Sequence, residues 1–267
     1  MSPNSGFPQR VVCLTEETTE TLYLLGEDWR IVGISGFTVR PPRARREKPK
    51  VSAFTSAHTD RIVALQPDLV LGFSDLQADI AATLVRAGIE VHIFNHRSIA
   101  EILRMIRTLG GMIGCELKAG ALAAQLEAGL AQLRERAAAL PRRPRVYFEE
   151  WDEPLISGIR WVSELIELAG GEDCFPELAR EPLGRNRIIA DPLEVPRRAP
   201  DIVLGSWCGK RFRPETVAAR PGWADIPAVR AGYVREIKSA LILQPGPAAL
   251  TDGVTAIHRV IDEWAHR

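Results

Sequence analysis

Short apolar runs bounded by turn residues alternate along the chain with segments whose apolar positions recur at helical spacing. VVCL from Val11, IVGI from Ile31, LVLGF from Leu69 and VHIF from Val91 predict four strands. Between the last two, Leu76, Ile80 and Leu84 keep four-residue spacing, which predicts a helix. It should stop at Gly88, a residue free to take the left-handed conformation that closes helices. Strands alternating with helices are the grammar of the α/β class.

From Ser98 to Leu140 the pattern is helical almost throughout, interrupted only near Gly110, Gly111 and Gly114. Its second part places Leu122, Leu126, Leu130, Leu133 and Ala137 on one face, which predicts a single long amphipathic helix. Pro141 and Pro144 break it, and strand and helix signals resume with VYFE at Val146 and VSELIELAGG at Val162. The two halves also repeat each other. PDLVLGF at Pro67 returns as PDIVLGS at Pro200, and RVVCLTEE at Arg10 returns as RVYFEEWDE at Arg145, so two motifs recur in nearly one register. The expectation is two homologous α/β lobes, residues 9–110 and 142–267, joined by a connecting backbone helix over 111–141.

In open α/β sheets ligands bind beyond the carboxyl ends of the strands, where loops diverge and helix N-termini offer donors. The residues at those positions are Thr15 and Glu16, Phe73 to Asp75, and Asn95 to Arg97 in the first half. In the second they are Glu150 to Glu153, Ser206 to Cys208, and Lys238.

Composition narrows the classes. With 46% apolar and 25% charged residues, the chain is globular, and 34 Lys+Arg against 34 Asp+Glu leave no overall field to recruit nucleic acid or an anionic membrane. No run approaches the length of a membrane-spanning helix. The opening MSPNSGFPQR lacks the charged and apolar regions of a secretory signal. Cys13, Cys115, Cys174 and Cys208 show neither metal-site nor disulfide spacing. Both features predict a cytoplasmic chain; a periplasmic one is the alternative if the sequence is a trimmed mature form. His58, His92, His96, His258 and His266 form no cluster, so no direct metal site is expected.

The order and spacing of several segments resemble the cobalamin and iron-chelate binding proteins of ABC importers, the helical-backbone class (class III) of periplasmic binding protein. They are RVVCLTEETTETLYLLG at the start, DRIVALQPDLVLG at Asp60, AGIEVHIFNHRSIAEIL at Ala87, SGIRWVSELIELAGGEDCF at Ser157, and GWADIPAVRAGYV with PGPAAL near the end. The resemblance implies two Rossmann-like lobes, a rigid connecting helix, little hinge motion, and a corrinoid or other metal chelate in the cleft. It implies no covalently bound cofactor, and a monomer that meets an ABC permease through an acidic residue on each lobe, for which Asp75, Asp79 and Asp191 are candidates. The sequence departs from the family at Ala190-Asp191-Pro192, where Ser-x-Glu is usual, and at Pro247-Ala248, where Pro-Arg is usual.

Among such ligands, cobalamin and porphyrins present broad apolar faces, for which Phe54, Phe73, Trp151 and Trp207 offer stacking area. Glu16 is expected to hydrogen-bond the ligand, and Phe37 places Arg40 within reach of it. Arg40 with Arg187, in the cluster Arg185-Asn186-Arg187, would favour an anionic ligand. The rest of RPPRARREKPK, from Arg40, reads as a solvated loop between strands. Cys208 has two readings, a buried small hydrophobe or a thiolate near Lys210 and Arg211 able to meet a metal or act as nucleophile. Trp207 is either cleft wall or packed beneath its loop. The rival class is an enzyme or sensor acting on a bound cofactor through Cys208 or the Glu149 and Glu150 pair. No P-loop, GxGxxG, HExxH or GxSxG supports it.

Overall fold

The computed structural model describes residues 6–267, which divide into two compact units. The first takes residues up to 96 together with 100–125, and the second takes 97–99 with 126–267. In the first, strands β1 (Val11–Cys13), β2 (Ile31–Ser35), β3 (Lys50–Ser52), β4 (Leu69–Phe73) and β5 (Val91–Phe94) form one parallel sheet in the order β3-β2-β1-β4-β5. Helices α1 (Glu16–Leu24), α2 (Ala44–Glu47), α3 (Thr59–Ala64), α4 (Ala78–Arg86) and α5 (Ile99–Met112) connect or follow the strands. Strand order reverses between β1 and β4, which makes the carboxyl ends of these two strands the natural ligand position of this sheet. Both strands are buried along their whole length, so their continuous apolar runs fill both faces. Val12, Leu14, Val51, Ile62, Val70 and Leu84 form the core.

The four strands expected here are present. Helix α4 ends as its sequence indicates: Gly88 has a φ of +79°, and the Ile89 N–H returns to the Leu84 carbonyl at 3.1 Å. The basic segment from Arg40 lies between β2 and β3 and is mostly exposed, with one helical turn inside it. Its Arg43 to Lys50 stretch contains α2 and leads directly into β3, because Ala44 is fully buried and Lys48 and Arg45 donate to backbone carbonyls of Asp28, Gly36 and Thr38.

The long helix α6 (Glu116–Ala138) is shorter than the expected 111–141 span. Gly114, at a φ of +72°, separates it from α5, and the Cys115 N–H caps back to the Gly110 carbonyl at 2.7 Å. Gly110 also lets the two helices touch, since a Cβ there would lie 2.2 Å from that of Ala119. The division between the units falls within α6, between Gln125 and Leu126.

The second unit contains β6 (Arg145–Asp152), β7 (Leu155–Ser157), α7 (Arg160–Leu168), β8 (Glu172–Asp173), α8 (Pro176–Ala179), α9 (Glu194–Arg198) and β9 (Ile202–Gly205). After these come α10 (Pro214–Ala218), α11 (Pro227–Arg230), β10 (Val234–Glu236), α12 (Ser239–Ile242) and α13 (Val254–Ala265). Its sheet runs β10-β9-β6-β7, with β7 antiparallel to the far end of β6 and β8 parallel to the near end. Tyr147, Phe175, Val203, Trp207, Phe212, Val217 and Trp223 belong to its core.

The sequence repeat is a repeat of strand pairing. Val11 pairs with Leu69 across β1 and β4, and Val146 pairs with Ile202 across β6 and β9, so the repeated segments meet in the same register in each sheet. The Pro-Asp motif has a job in both. Asp68 accepts from the Gln9 and Arg10 N–H groups at 2.7 and 2.8 Å, and Asp201 accepts from the Arg145 N–H at 2.9 Å. Each aspartate thus closes the open start of the neighbouring strand.

Candidate functional site

In the first unit the carboxyl ends of β1 and β4 are joined by Gln77, which is fully buried. Its Oε1 accepts from the Phe73 N–H at 2.9 Å, and its Nε2 donates to the carbonyls of Phe54 (2.9 Å) and Leu14 (3.4 Å). Sequence reasoning missed this residue. Its only signal is a polar side chain four positions past Phe73, at the start of an otherwise apolar-spaced segment. Phe73 is buried edge-on against His96, with ring centroids 5.0 Å apart, whereas Phe54 is half-buried and Phe37 is 48% exposed.

After β1 come three glutamates. Glu16, Glu17 and Glu20 are all buried in the first turns of α1. A helix N-terminus favours negative charge by up to ~1 kcal/mol at ordinary sites, a modest term beside the cost of removing a carboxylate from water. Burial accordingly pushes Glu16 upward against the Ser35 hydroxyl hydrogen bond. Burial raises Glu17 to about 8, despite the Thr15 Oγ1 that donates to it at 2.6 Å, with the charges of Glu16 and Glu20 adding to the rise. Arg40 donates to Glu20 at 2.9 Å. A side cavity of about 280 Å³ opens in this unit between β5 and α5, lined by residues that include His92, Asn95, His96 and Arg104.

In the second unit the strand-end residues are organised by three acidic side chains of β6. Glu150 receives both terminal nitrogens of Arg187 at 2.7 and 2.9 Å. Asp152 receives Lys210 at 2.5 Å. Glu149, fully buried, receives Arg220 at 2.5 and 2.9 Å, the Trp207 indole N–H at 3.0 Å and the Tyr147 hydroxyl at 3.1 Å. Burial and the adjoining Glu149 charge hold the Tyr147 phenol well above its ordinary range, so it is a hydrogen-bond donor throughout. Arg220 is 71 residues away from Glu149 in sequence, and no local pattern announces the pair.

Several expectations are corrected here. Arg187 is buried and paired with Glu150, so it is not a free anion contact. Trp207 is a core residue, 4% exposed, because Phe212 covers one edge of its ring and Glu149 takes its N–H. The Glu149 and Glu150 carboxylates do not form an acid/base pair, since each is neutralised by its own arginine. Trp151 is half-buried, its indole N–H donating to the Glu153 carbonyl at 2.9 Å, and Lys210 lies over both Trp151 and Trp207 at 5.7 and 5.1 Å. Cys208 is exposed at the tip of the same loop. Among the described residues no group of three or more His, Cys, Asp or Glu is placed to hold a metal ion, and no helix is long and apolar enough to cross a membrane.

Known proteins share this architecture. The sequence model of the family described as "Periplasmic binding protein" matches residues 11–241. An ABC transporter substrate-binding lipoprotein of Bacillus subtilis, YvrC, is 24% identical over 92% of this chain and 78% of its own. The vitamin B12-binding protein of Vibrio parahaemolyticus is 25% identical over 91% of this chain and 86% of its own. The periplasmic heme-binding protein RhuT of Roseiflexus, solved without ligand, superposes with a TM-score of 0.82 at 24% identity over 96% of this chain and 99% of its own. These likenesses overturn the expected cytoplasmic location, since the proteins concerned are named as periplasmic or as lipoproteins. Free cysteines misled because two of them are chemically quiet in any compartment: burial pushes the Cys13 and Cys174 thiols up to about 12.

Proposed function

The chain belongs to the periplasmic binding protein family, and from that premise we propose that it is the substrate-binding component of an ABC importer whose cargo is a corrinoid. Relatives bearing B12 and heme names leave the cargo open between an amide-bearing corrinoid and a porphyrin that carries ionised carboxylates. One observation favours the corrinoid. Arg40, Arg187, Lys210 and Arg220, four cations near the strand ends, are each paired with a carboxylate of their own unit, Glu20, Glu150, Asp152 and Glu149. A ligand carboxylate meeting them must share or displace an existing ion pair, whereas peripheral amides ask only for neutral donors and acceptors. Phe37 and Phe54 in the first unit, and separately Trp151 in the second, are partly exposed aromatic rings of the kind that pack against the flat face of such a ligand. Glu16, buried just past β1 with its carboxyl pushed upward by burial, is the polar group of that strand end. The protein works as a monomer, performs no covalent step, and passes its cargo to a membrane permease.

The test is a titration of the purified protein with cyanocobalamin, dicyanocobinamide and hemin, read by absorbance and calorimetry. Corrinoid binding with a Kd of ~10 μM or tighter, and hemin at least ~10-fold weaker, supports the reading. Tighter hemin binding, or no corrinoid binding at ~100 μM, overturns it.

A further inference from the structure

Glu149 has no lone pair left for a ligand. A carboxylate offers about four acceptor positions, and Tyr147, Trp207 and the two nitrogens of Arg220 occupy them inside the core. The same residue pins the start of the loop that follows β9, because its carbonyl accepts the Ser206 N–H at 2.9 Å. From there the loop folds upon itself. Trp207 packs edge-on against Phe212 at 4.9 Å, and Phe212 in turn lies so close over Gly205 that a Cβ there would come within 1.8 Å of the ring. What projects is the tip, Cys208 to Arg211, with Lys210 placed over Trp207 and tied to Asp152.

Burying a carboxylate and a guanidinium is a costly way to fill space, and apolar residues of similar volume commonly serve stability as well or better. An ion pair with defined hydrogen-bond directions does something apolar packing does not, which is to fix one rotamer of the indole it holds. We infer that Glu149 is a positioning residue: through Trp207 it holds the Ser206–Arg213 loop in the one arrangement that keeps Lys210 on Asp152 and over Trp151, the ring that meets the cargo. The ligand half of this inference rests on the corrinoid reading above; the loop half does not.

Three variants test it. Glu149→Gln alone leaves the half-buried Arg220 without its counter-charge, so the paired change Glu149→Gln/Arg220→Gln is the principal variant. Trp207→Phe removes the N–H donor and shrinks the ring while keeping an aromatic side chain against Phe212. Ile261→Val, a fully buried position on α13, serves as a packing control. Amide hydrogen exchange of residues 206–213 is measured beside cyanocobalamin affinity and the unfolding midpoint. The paired variant should speed loop exchange by at least ~10-fold and weaken cyanocobalamin by at least ~10-fold. Trp207→Phe should move both in the same direction by less, while Ile261→Val lowers the midpoint and moves neither. Loop exchange at the natural rate in the folded paired variant overturns the inference; if that variant does not fold, natural exchange in Trp207→Phe does so. Should the natural protein bind no corrinoid, the cargo assignment fails and the loop exchange alone decides for or against the clamp.

Discussion

Replacing Glu17 by Gln should stabilise the protein, and the gain should depend on pH. Glu17 is 2% exposed, its carboxyl accepts from the Thr15 hydroxyl, and Glu16 and Glu20 lie close enough to oppose its ionisation. In the folded chain it holds its proton up to about 8 against an ordinary value of 4.5. The folded state therefore binds more protons than the unfolded state between those values. Stability from this group is fully present below 4.5 and declines as pH rises through 8. At ~1.4 kcal/mol for each tenfold change in proton affinity, the ceiling on the loss is about 5 kcal/mol. Gln keeps the shape of the neutral acid and an oxygen for Thr15, but has no proton to lose. Urea unfolding of both proteins from pH 5 to pH 9, followed by far-ultraviolet circular dichroism, measures the difference. The two should be nearly equal at pH 5, with the variant ahead by at least ~2 kcal/mol at pH 8.5. Glu16 shifts in the same direction in both chains and largely cancels. Parallel stability curves across the range would refute the assignment of a buried, protonated Glu17.

Glu27 has the opposite sign: burial pushes it up, but hydrogen bonds from Lys118 and Arg30 hold it down to about 2. Glu27→Gln should cost about 1 to 3 kcal/mol at pH 7, a penalty that fades as pH falls below 4.5 toward 2, read by the same unfolding series. Gly205→Ala should destabilise the second unit by ~2 kcal/mol or more, because Phe212 cannot stay over a Cβ at 1.8 Å; the thermal unfolding midpoint will show it. Trp151→Ala should weaken cyanocobalamin by ~1 to 3 kcal/mol with little change in unfolding midpoint, as judged by calorimetry.

The parts of the fold legible in the sequence were those with local causes. Val11–Cys13 and Leu69–Phe73 are strands because they are short apolar runs between turn residues, and the Pro-Asp repeat at Pro67 and Pro200 marked paired strands whose register agrees in both sheets. Gly88 and Gly114 ended helices through a backbone conformation that glycine reaches without strain. The candidate site was less legible because its organisation is long-range. The sequence placed Glu150 and Asp152 beyond a strand end, whereas β6 runs on through Asp152, and the partners of Glu149, Glu150 and Asp152, which are Arg220, Arg187 and Lys210, lie 71, 37 and 58 residues further on. Nothing local distinguishes an arginine that will be buried against such an acid from one that stays in water. Trp207 followed the same logic. Its place after an apolar strand suggested a cleft wall, yet Phe212, five residues on, turns back to cover it.

The position of the division between the units bears on how the chain can be taken apart. It falls at Gln125 and Leu126, inside the continuous helix Glu116–Ala138, whose backbone hydrogen bonds run unbroken across it. Proteases cut where a segment can unfold locally into the enzyme, and exposed loop tips serve far better than a helix interior. Trypsin should therefore nick the chain first beside Lys210 or Arg211, in the projecting tip, and leave the two units covalently joined. Expressing either unit alone with an end at 125 or 126 would halve α6 and leave each fragment with a helix terminus that has no cap. Fragments meant to fold separately need α6 kept whole on one side.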